Sequence, residues 1–223
     1  ELREATNYQV PIFLKMGATR PRYDVAIAAK AGVDVVVVDG AEGGTGASPE
    51  LLLDHTGIPL ISAIRAAREA LDDCGKTDEV SLVAAGGIRS GTDVAKCLAL
   101  GADAVMIGTA GLVALGCNSP RYFDDYAALG TAPGRCHHCH TGLCPVGVAT
   151  QDPELEKRVD VPAASERVAR FLTAMTMEVS LLAKACGKSN VHNLEVEDLR
   201  AMSLEASAFT GVKLAGIDRP YSW

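Results

Sequence analysis

No stretch of this 223-residue chain approaches the ~20 uninterrupted apolar residues needed to cross a bilayer, so no membrane-spanning helix is expected. Positive charge is also in deficit. The formal net charge of −7 argues against a nucleic-acid or anionic-membrane partner. No secretory leader is expected, and the sequence shows no low-complexity segment and no linker that would divide it into separate domains. The seven cysteines are odd in number and clustered, which does not suit a disulfide framework and reads as reduced thiols in a cytoplasmic protein. What remains is a chain with 48% hydrophobic residues, ample for a core.

That apolar content comes in short alternating blocks. Val10–Lys15 is an apolar run ending in lysine and reads as a buried strand, followed by helical material at Val25–Ala31. The β-branched run Val33–Asp39 is a second strand, and Ile61–Cys74 has apolar residues at helical spacing. Val80–Ala85 and Ala104–Ile107 are further strands, with a helix over Asp93–Leu100 between them and another opening after Gly108. Continuous apolar strands alternating with helices predict βαβ units in a parallel sheet. Beyond these, Ser165–Cys186 predicts one long helix with a core stripe of Val168, Phe171, Leu172, Met175, Val179 and Leu182. A short helix is expected over Asn193–Ser203, with the tail to Trp223 packing over the sheet or a partner. Cys74, Cys97 and Cys186 lie in helical contexts and read as small core residues.

Each strand ends in a distinctive loop: Lys15-Met16-Gly17, Asp39-Gly40 through Pro49, Gly86-Gly87-Ile88 and Gly108-Thr109. In a β/α barrel the active site forms at these strand ends, and phosphate sits between the last two loops. Gly86, Gly87, Gly108 and Thr109 suit that role, since glycine lets backbone N–H groups approach phosphate oxygens and a helix N-terminus adds a favourable dipole.

A second concentration of chemistry follows. Cys136, Cys139 and Cys144 fall within nine residues, among glycines, a proline and the histidines His137, His138 and His140. Thiolates this dense bind soft metals, as iron–sulfur ligands or, with the histidines, as a zinc site.

Two stretches narrow the family. Gly43-Gly44-Thr45-Gly46-Ala47-Ser48-Pro49 and the run Cys139 through Gln151 (CHTGLCPVGVATQ) resemble the FMN-binding synthase domain of glutamate synthase. So does the opening, Leu2–Thr6 and Lys15–Pro21. The resemblance covers essentially residues 1 to 155 and extends to stand-alone relatives such as the flavin subunit of N-methylglutamate synthase. It implies FMN, an iron–sulfur cluster and reductive amination of 2-oxoglutarate through 2-iminoglutarate. Gly86, Gly87, Gly108 and Thr109 would then hold the FMN phosphate, with Gly43, Gly44, Thr45, Gly46 and Ser48 lining the same mouth. Lys15 would lie near the flavin pyrimidine edge or the substrate, as the candidate catalytic residue. Arg20 is a candidate for a substrate carboxylate or for an exposed ion pair.

The resemblance also implies partners: ammonia from a glutaminase-type domain or subunit, or methylamine in the N-methylglutamate synthase type. An NAD(P)H-oxidising subunit or ferredoxin would supply electrons. A non-catalytic electron-transfer subunit is the further alternative.

Two departures stand out. Cys117 matches the family's first cluster cysteine, but Asn118–Gly134 is extra and Cys136 is an additional thiol. A three-iron cluster (3Fe-4S) on Cys117, Cys139 and Cys144 is expected, with Cys136 either a substitute for Cys117 or a fourth ligand favouring 4Fe-4S. Only four βα units are legible, half of an eight-unit barrel. Together with a first residue that is not Met, this leads us to expect the C-terminal half of a TIM barrel, with the other half completing the flavin site. The expected divisions are a half-barrel at 1–116, a cysteine loop at 117–151 and a helical extension at 152–223.

Overall fold

The computed structural model describes residues 1–45 and 47–217. Gly46 and the tail from residue 218 to Trp223, on which two of the expectations above fall, lie outside the described residues.

After a single turn, α1 (Leu2–Ala5), come β1 (Phe13–Gly17), α2 (Pro21–Lys30) and β2 (Val35–Asp39). Then follow α3 (Glu50–His55), α4 (Leu60–Asp73), β3 (Ser81–Ala85), α5 (Gly91–Ala99), β4 (Ala104–Met106) and α6 (Thr109–Leu115). The four strands form one parallel sheet in the order β1-β2-β3-β4. This is the α/β architecture of part of a TIM barrel.

Register decides which side chains share a face. Val35 and Val37 pair with Phe13 and Lys15 on one side, and Val37 pairs with Val83 on the other. These residues occupy one face of the sheet, with Ala85 and Met106 beyond them, where Val35, Val37, Val83 and Ala85 form their own buried cluster. The alternate residues Val36, Val38, Leu82 and Ala84 pack beneath α2, α4 and α5 in the main core. Both faces of β2 and β3 are therefore buried, which is why their sequences are apolar without alternation.

The edges behave differently. β1 is not the buried strand expected: Phe13 is 59% and Leu14 39% exposed, because β1 has a neighbour on one side only.

The remaining chain wraps the helical side. α7 (Phe123–Ala128) and α8 (Pro153–Glu156) precede α9 (Val161–Ala185), which packs against both α5 and α6. Pro162 in the first turn and the Asp160 carboxylate capping Ala163 N–H start α9 one turn earlier than its apolar stripe suggests. Met175 and Val179 are buried as expected, but Leu172 is 46% exposed. The expected helix at 193–203 is instead two 3-10 turns, Val191–Asn193 and Val196–Asp198, before α10 (Leu204–Thr210). Arg65 Nε in α4 donates to Thr210 O at 3.2 Å, tying that end back to the barrel helices. Of the three helical cysteines only Cys97 is buried; Cys74 is half-buried and Cys186 exposed. No helix among the described residues is long and apolar enough to cross a membrane.

Candidate functional site: a strand-end cleft joined to a thiol loop

At the C-terminal ends of the strands lies a cleft of about 1080 Å³. Lys15, Gly43, Gly44, Gly86, Gly87, Gly108 and Thr109 all line it, so four separate loops converge as the spacing predicted. Thr45 and Ser48 lie on the same loop as Gly43 but do not line the cleft; Thr45 N–H lies 3.4 Å from Ser48 Oγ. Arg20 is exposed, 3.3 Å from Asp24, and also lies outside the cleft lining.

Asp39 organises this cleft, and sequence reasoning assigned it no role. It ends β2 on the same face as Lys15, and its Oδ2 lies 3.0 Å from Lys15 Nζ. Its side chain is only 12% exposed, against 47% for Lys15. The loop after β2 folds tightly over it. A Cβ on Gly43 would stand 1.9 Å from Asp39 Oδ1, so only glycine passes there. The loop is also pinned from the other side, where Glu42 Oε2 accepts the Leu60 N–H at 3.0 Å, at the start of α4. A carboxylate closing a valine-rich strand was the available signal.

Donors for an anion differ between the two glycine loops. The start of α5 is already satisfied: Ser90 and Asp93 form a capping box, and Glu178 of α9 accepts the Gly91 N–H at 2.7 Å. Burial alone would raise the Asp93 carboxyl, but the N–H groups of Arg89 and Ser90 and the Ser90 hydroxyl hold it below its ordinary range. α6, by contrast, starts at Gly108 with no side-chain cap. A Cβ on Gly108 would meet nothing within 4 Å, although the residue lines the cleft. No packing contact demands glycine there. Gly86 is the opposite case, with φ +105 and backbone atoms about 3.1 Å from where a Cβ would sit. The Gly86-Gly87 turn and the start of α6 both face the cleft, the latter without a side-chain cap.

α6 leads out of this cleft to the second site. It ends at Gly116, followed by Cys117. The extra segment 118–134 does not separate Cys117 from Cys136, because its neck is closed. Asn118 takes a left-handed turn (φ 63) and its Oδ1 accepts the Gly134 N–H at 2.9 Å. Four thiols consequently gather. Burial raises the Cys117 thiol, and the neighbouring thiols of Cys139, Cys144 and Cys136 push it further. Cys139 is raised by burial and then by Cys144 and Cys136.

The inserted segment also supplies Tyr126 of α7, only 1% exposed, packed with Cys144 and Val146. Burial and then the thiols of Cys117, Cys136 and Cys144 push its phenol up to about 12. Arg158 locks the arrangement by donating to Pro145 O at 2.6 Å and to Asp125 of α7 at 3.0 Å, its guanidinium 4.9 Å above the Tyr122 ring. None of these ties was legible, since they join residues far apart in sequence.

Among the described residues no three His, Cys, Asp or Glu side chains come together closely enough to hold one metal ion. His138 stacks on His137 with ring centroids 4.9 Å apart, and both its ring nitrogens are shielded from solvent without a partner among the described residues.

Fold and sites together define a β/α-barrel segment with a glycine-lined strand-end cleft and an attached cysteine loop. The family model described as the conserved region in glutamate synthase matches residues 1–189, and the chain belongs to that family. It is 53% identical over 216 residues to a glutamate synthase large subunit-like protein of Rhizobium meliloti, covering 97% of this chain and 49% of that protein. It is 41% identical over 220 residues to an archaeal glutamate synthase (NADPH) of Methanocaldococcus jannaschii, covering 96% of this chain and 40% of that one. The chain thus spans about half the length, or less, of these relatives. A solved structure of a flavocytochrome b2 variant with sulfite bound shares the fold, with TM-score 0.54 and 22% identity, covering 87% of this chain and 36% of that one.

Proposed function

We propose that this chain carries the flavin-phosphate and cluster-bearing segment of a glutamate synthase-type oxidoreductase that aminates 2-oxoglutarate reductively, through 2-iminoglutarate, to glutamate. One observation carries the reading: Lys15, Gly43, Gly44, Gly86, Gly87, Gly108 and Thr109, seven of the residues expected around a flavin, line one cleft, and α6 runs from that cleft to Cys117.

Bound FMN would supply hydride transfer to the imine carbon, and a bound iron–sulfur cluster would supply the electrons for it. Gly86, Gly87 and Gly108 would present backbone N–H groups to the phosphate, with the Thr109 hydroxyl beside them. Lys15 would place its ammonium against negative charge on the reduced ring or the substrate, and Asp39 orients that ammonium. Cys117, Cys139 and Cys144 would ligate a three-iron cluster, with Cys136 replacing Cys117 or adding a fourth thiolate for a four-iron one. The orienting partners of those cysteines are Asn118, Tyr126 and Arg158. Ammonia would come from a glutaminase-type domain, and electrons from an NADPH-oxidising partner or ferredoxin.

An anaerobic visible spectrum with iron and zinc analysis on the full-length protein tests this. Flavin bands, a broad cluster shoulder and roughly three or four irons are expected. Flavin reoxidation should then depend on 2-oxoglutarate together with a nitrogen donor, and glutamine against methylamine separates the two synthase types. A colourless protein holding one zinc overturns the reading. Flavin that ignores 2-oxoglutarate reduces the chain to an electron carrier.

A further inference from the structure

Two clefts meet at one arginine. Arg167 lines the strand-end cleft and also a smaller one of about 410 Å³ that contains Cys117. It projects from α9, and its two bonds go to the last carbonyls of α6: Nε donates to Ala114 O at 3.2 Å and Nη2 to Leu115 O at 2.9 Å. Those carbonyls end a helix and would otherwise lack partners. The clamp is close. Gly116 turns at φ +124, and a Cβ there would stand 3.3 Å from Arg167 Nη2. α6 therefore has one end at the candidate phosphate site, through Thr109, and the other held by Arg167 just before Cys117.

The charge of Arg167 is also unspent. Its hydrogen-bond partners among the described residues are the two neutral carbonyls, in a chain whose net charge is −7. The side chain is exposed, so water screens its charge, and Asp39, Glu42 and Asp93 line the larger cleft with it and Asp160 the smaller; what reaches each cleft is a reduced but unpaired positive field.

We propose that Arg167 is a positioning residue shared by the two sites: it clamps α6, which sets their spacing, and its uncompensated charge raises the reduction potential of the groups held on either side. This rests on the flavin and cluster reading above. Added negative charge on either group is stabilised by the same cation, so the two potentials respond together.

The test is redox titration of the full-length protein, following flavin absorbance and the cluster's EPR signal, with FMN and iron content measured for each variant. Arg167→Gln should lower both potentials, each by about two- to fivefold in its reduction equilibrium constant, roughly 20–40 mV for one electron. Arg167→Lys keeps the charge without the fork, so it should hold both potentials near wild type while weakening thermal stability. Unchanged potentials in the fully loaded Gln variant overturn the proposal. So does a shift in only one group, or a Lys variant that behaves like Gln. Should the Gln variant fail to load, Lys decides alone: full loading at wild-type potentials supports the assignment, and loss of loading overturns it. Wild-type protein without iron overturns the underlying reading and this proposal with it, a result distinguishable from the others before any variant is made.

Discussion

Replacing Gly108 by alanine should separate the requirements of the fold from those of the cofactor. A Cβ at Gly108 meets no atom within 4 Å, so no packing clash resists it. Its cost to folding is the difference between glycine and alanine at a helix N-cap, about 0.5–1 kcal/mol. For a chain of this size that is a drop of roughly 1–4 °C in melting temperature. The same methyl projects where a flavin phosphate is proposed to lie. Crowding there by one methyl should cost about 1–3 kcal/mol of binding, a roughly 5- to 150-fold loss of FMN affinity.

Gly86→Ala is the paired control. Its φ of +105 costs alanine ~1–3 kcal/mol, and its Cβ would crowd Gly40 N and Gly43 N at 3.1 Å for a further ~1–3 kcal/mol. That variant should melt at least about 5 °C lower before any ligand is considered. The assay is thermal unfolding of apoprotein alongside fluorimetric FMN titration. Gly108→Ala protein that binds FMN as tightly as wild type refutes the assignment of the phosphate to this cleft. Gly108→Ala protein that unfolds as readily as Gly86→Ala refutes the packing argument.

Three further outcomes are expected. Asp93→Ala removes the side-chain half of the α5 capping box, the carboxylate that accepts the Ser90 N–H, and should cost about 0.5–2 kcal/mol. Because the native Asp93 pKa is depressed below 3.8, its contribution is present above that pH and lost as pH falls through the native value; wild type and variant should therefore converge in urea stability only in strong acid. Asn118→Ala opens the neck between Cys117 and Gly134. Iron content should fall while FMN content holds, and unchanged iron would show that the insertion needs no clasp. Iodoacetamide should label exposed Cys186 in the native protein and leave Cys97 untouched, since burial pushes the Cys97 thiol up to about 12. Mapping the labelled peptides with and without denaturant decides it.

How much of this was legible follows from the range of the forces involved. β2 and β3 read correctly because burial on both faces leaves a local trace, four consecutive valines in one case. The same reasoning misread β1, whose Phe13 and Leu14 are as apolar as a buried strand's but sit at a sheet edge. Sheet position is decided by pairing partners distant in sequence, and no local pattern encodes it. The helical stripe of α9 erred in the same way at Leu172, since α5 and α6 cover only part of its circumference. Gly43, Gly86 and Gly108 were found as glycines, yet they are glycine for three different reasons: a carboxylate, a positive φ and an open cleft.

The cysteine loop shows where linear spacing misleads and what replaces it. Counted along the chain, the segment from Asn118 to Gly134 pushes the first thiol away from the rest. Its two ends are instead joined by a single side-chain bond, so what was inserted is a closed loop whose cost in chain entropy grows only slowly with length. The loop can then carry something useful inward, and it carries Tyr126 to the thiols. Both Cys117 and Cys136 lie within the influence of Cys139, so linear spacing alone does not choose between them as ligands of the proposed cluster. The neck in turn hangs from α6, and α6 from Arg167. The strand-end cleft and Cys117 are thus joined through the seven residues of α6, so under the proposal above a substitution that displaces α6 itself, as at Arg167, should be read out at both sites.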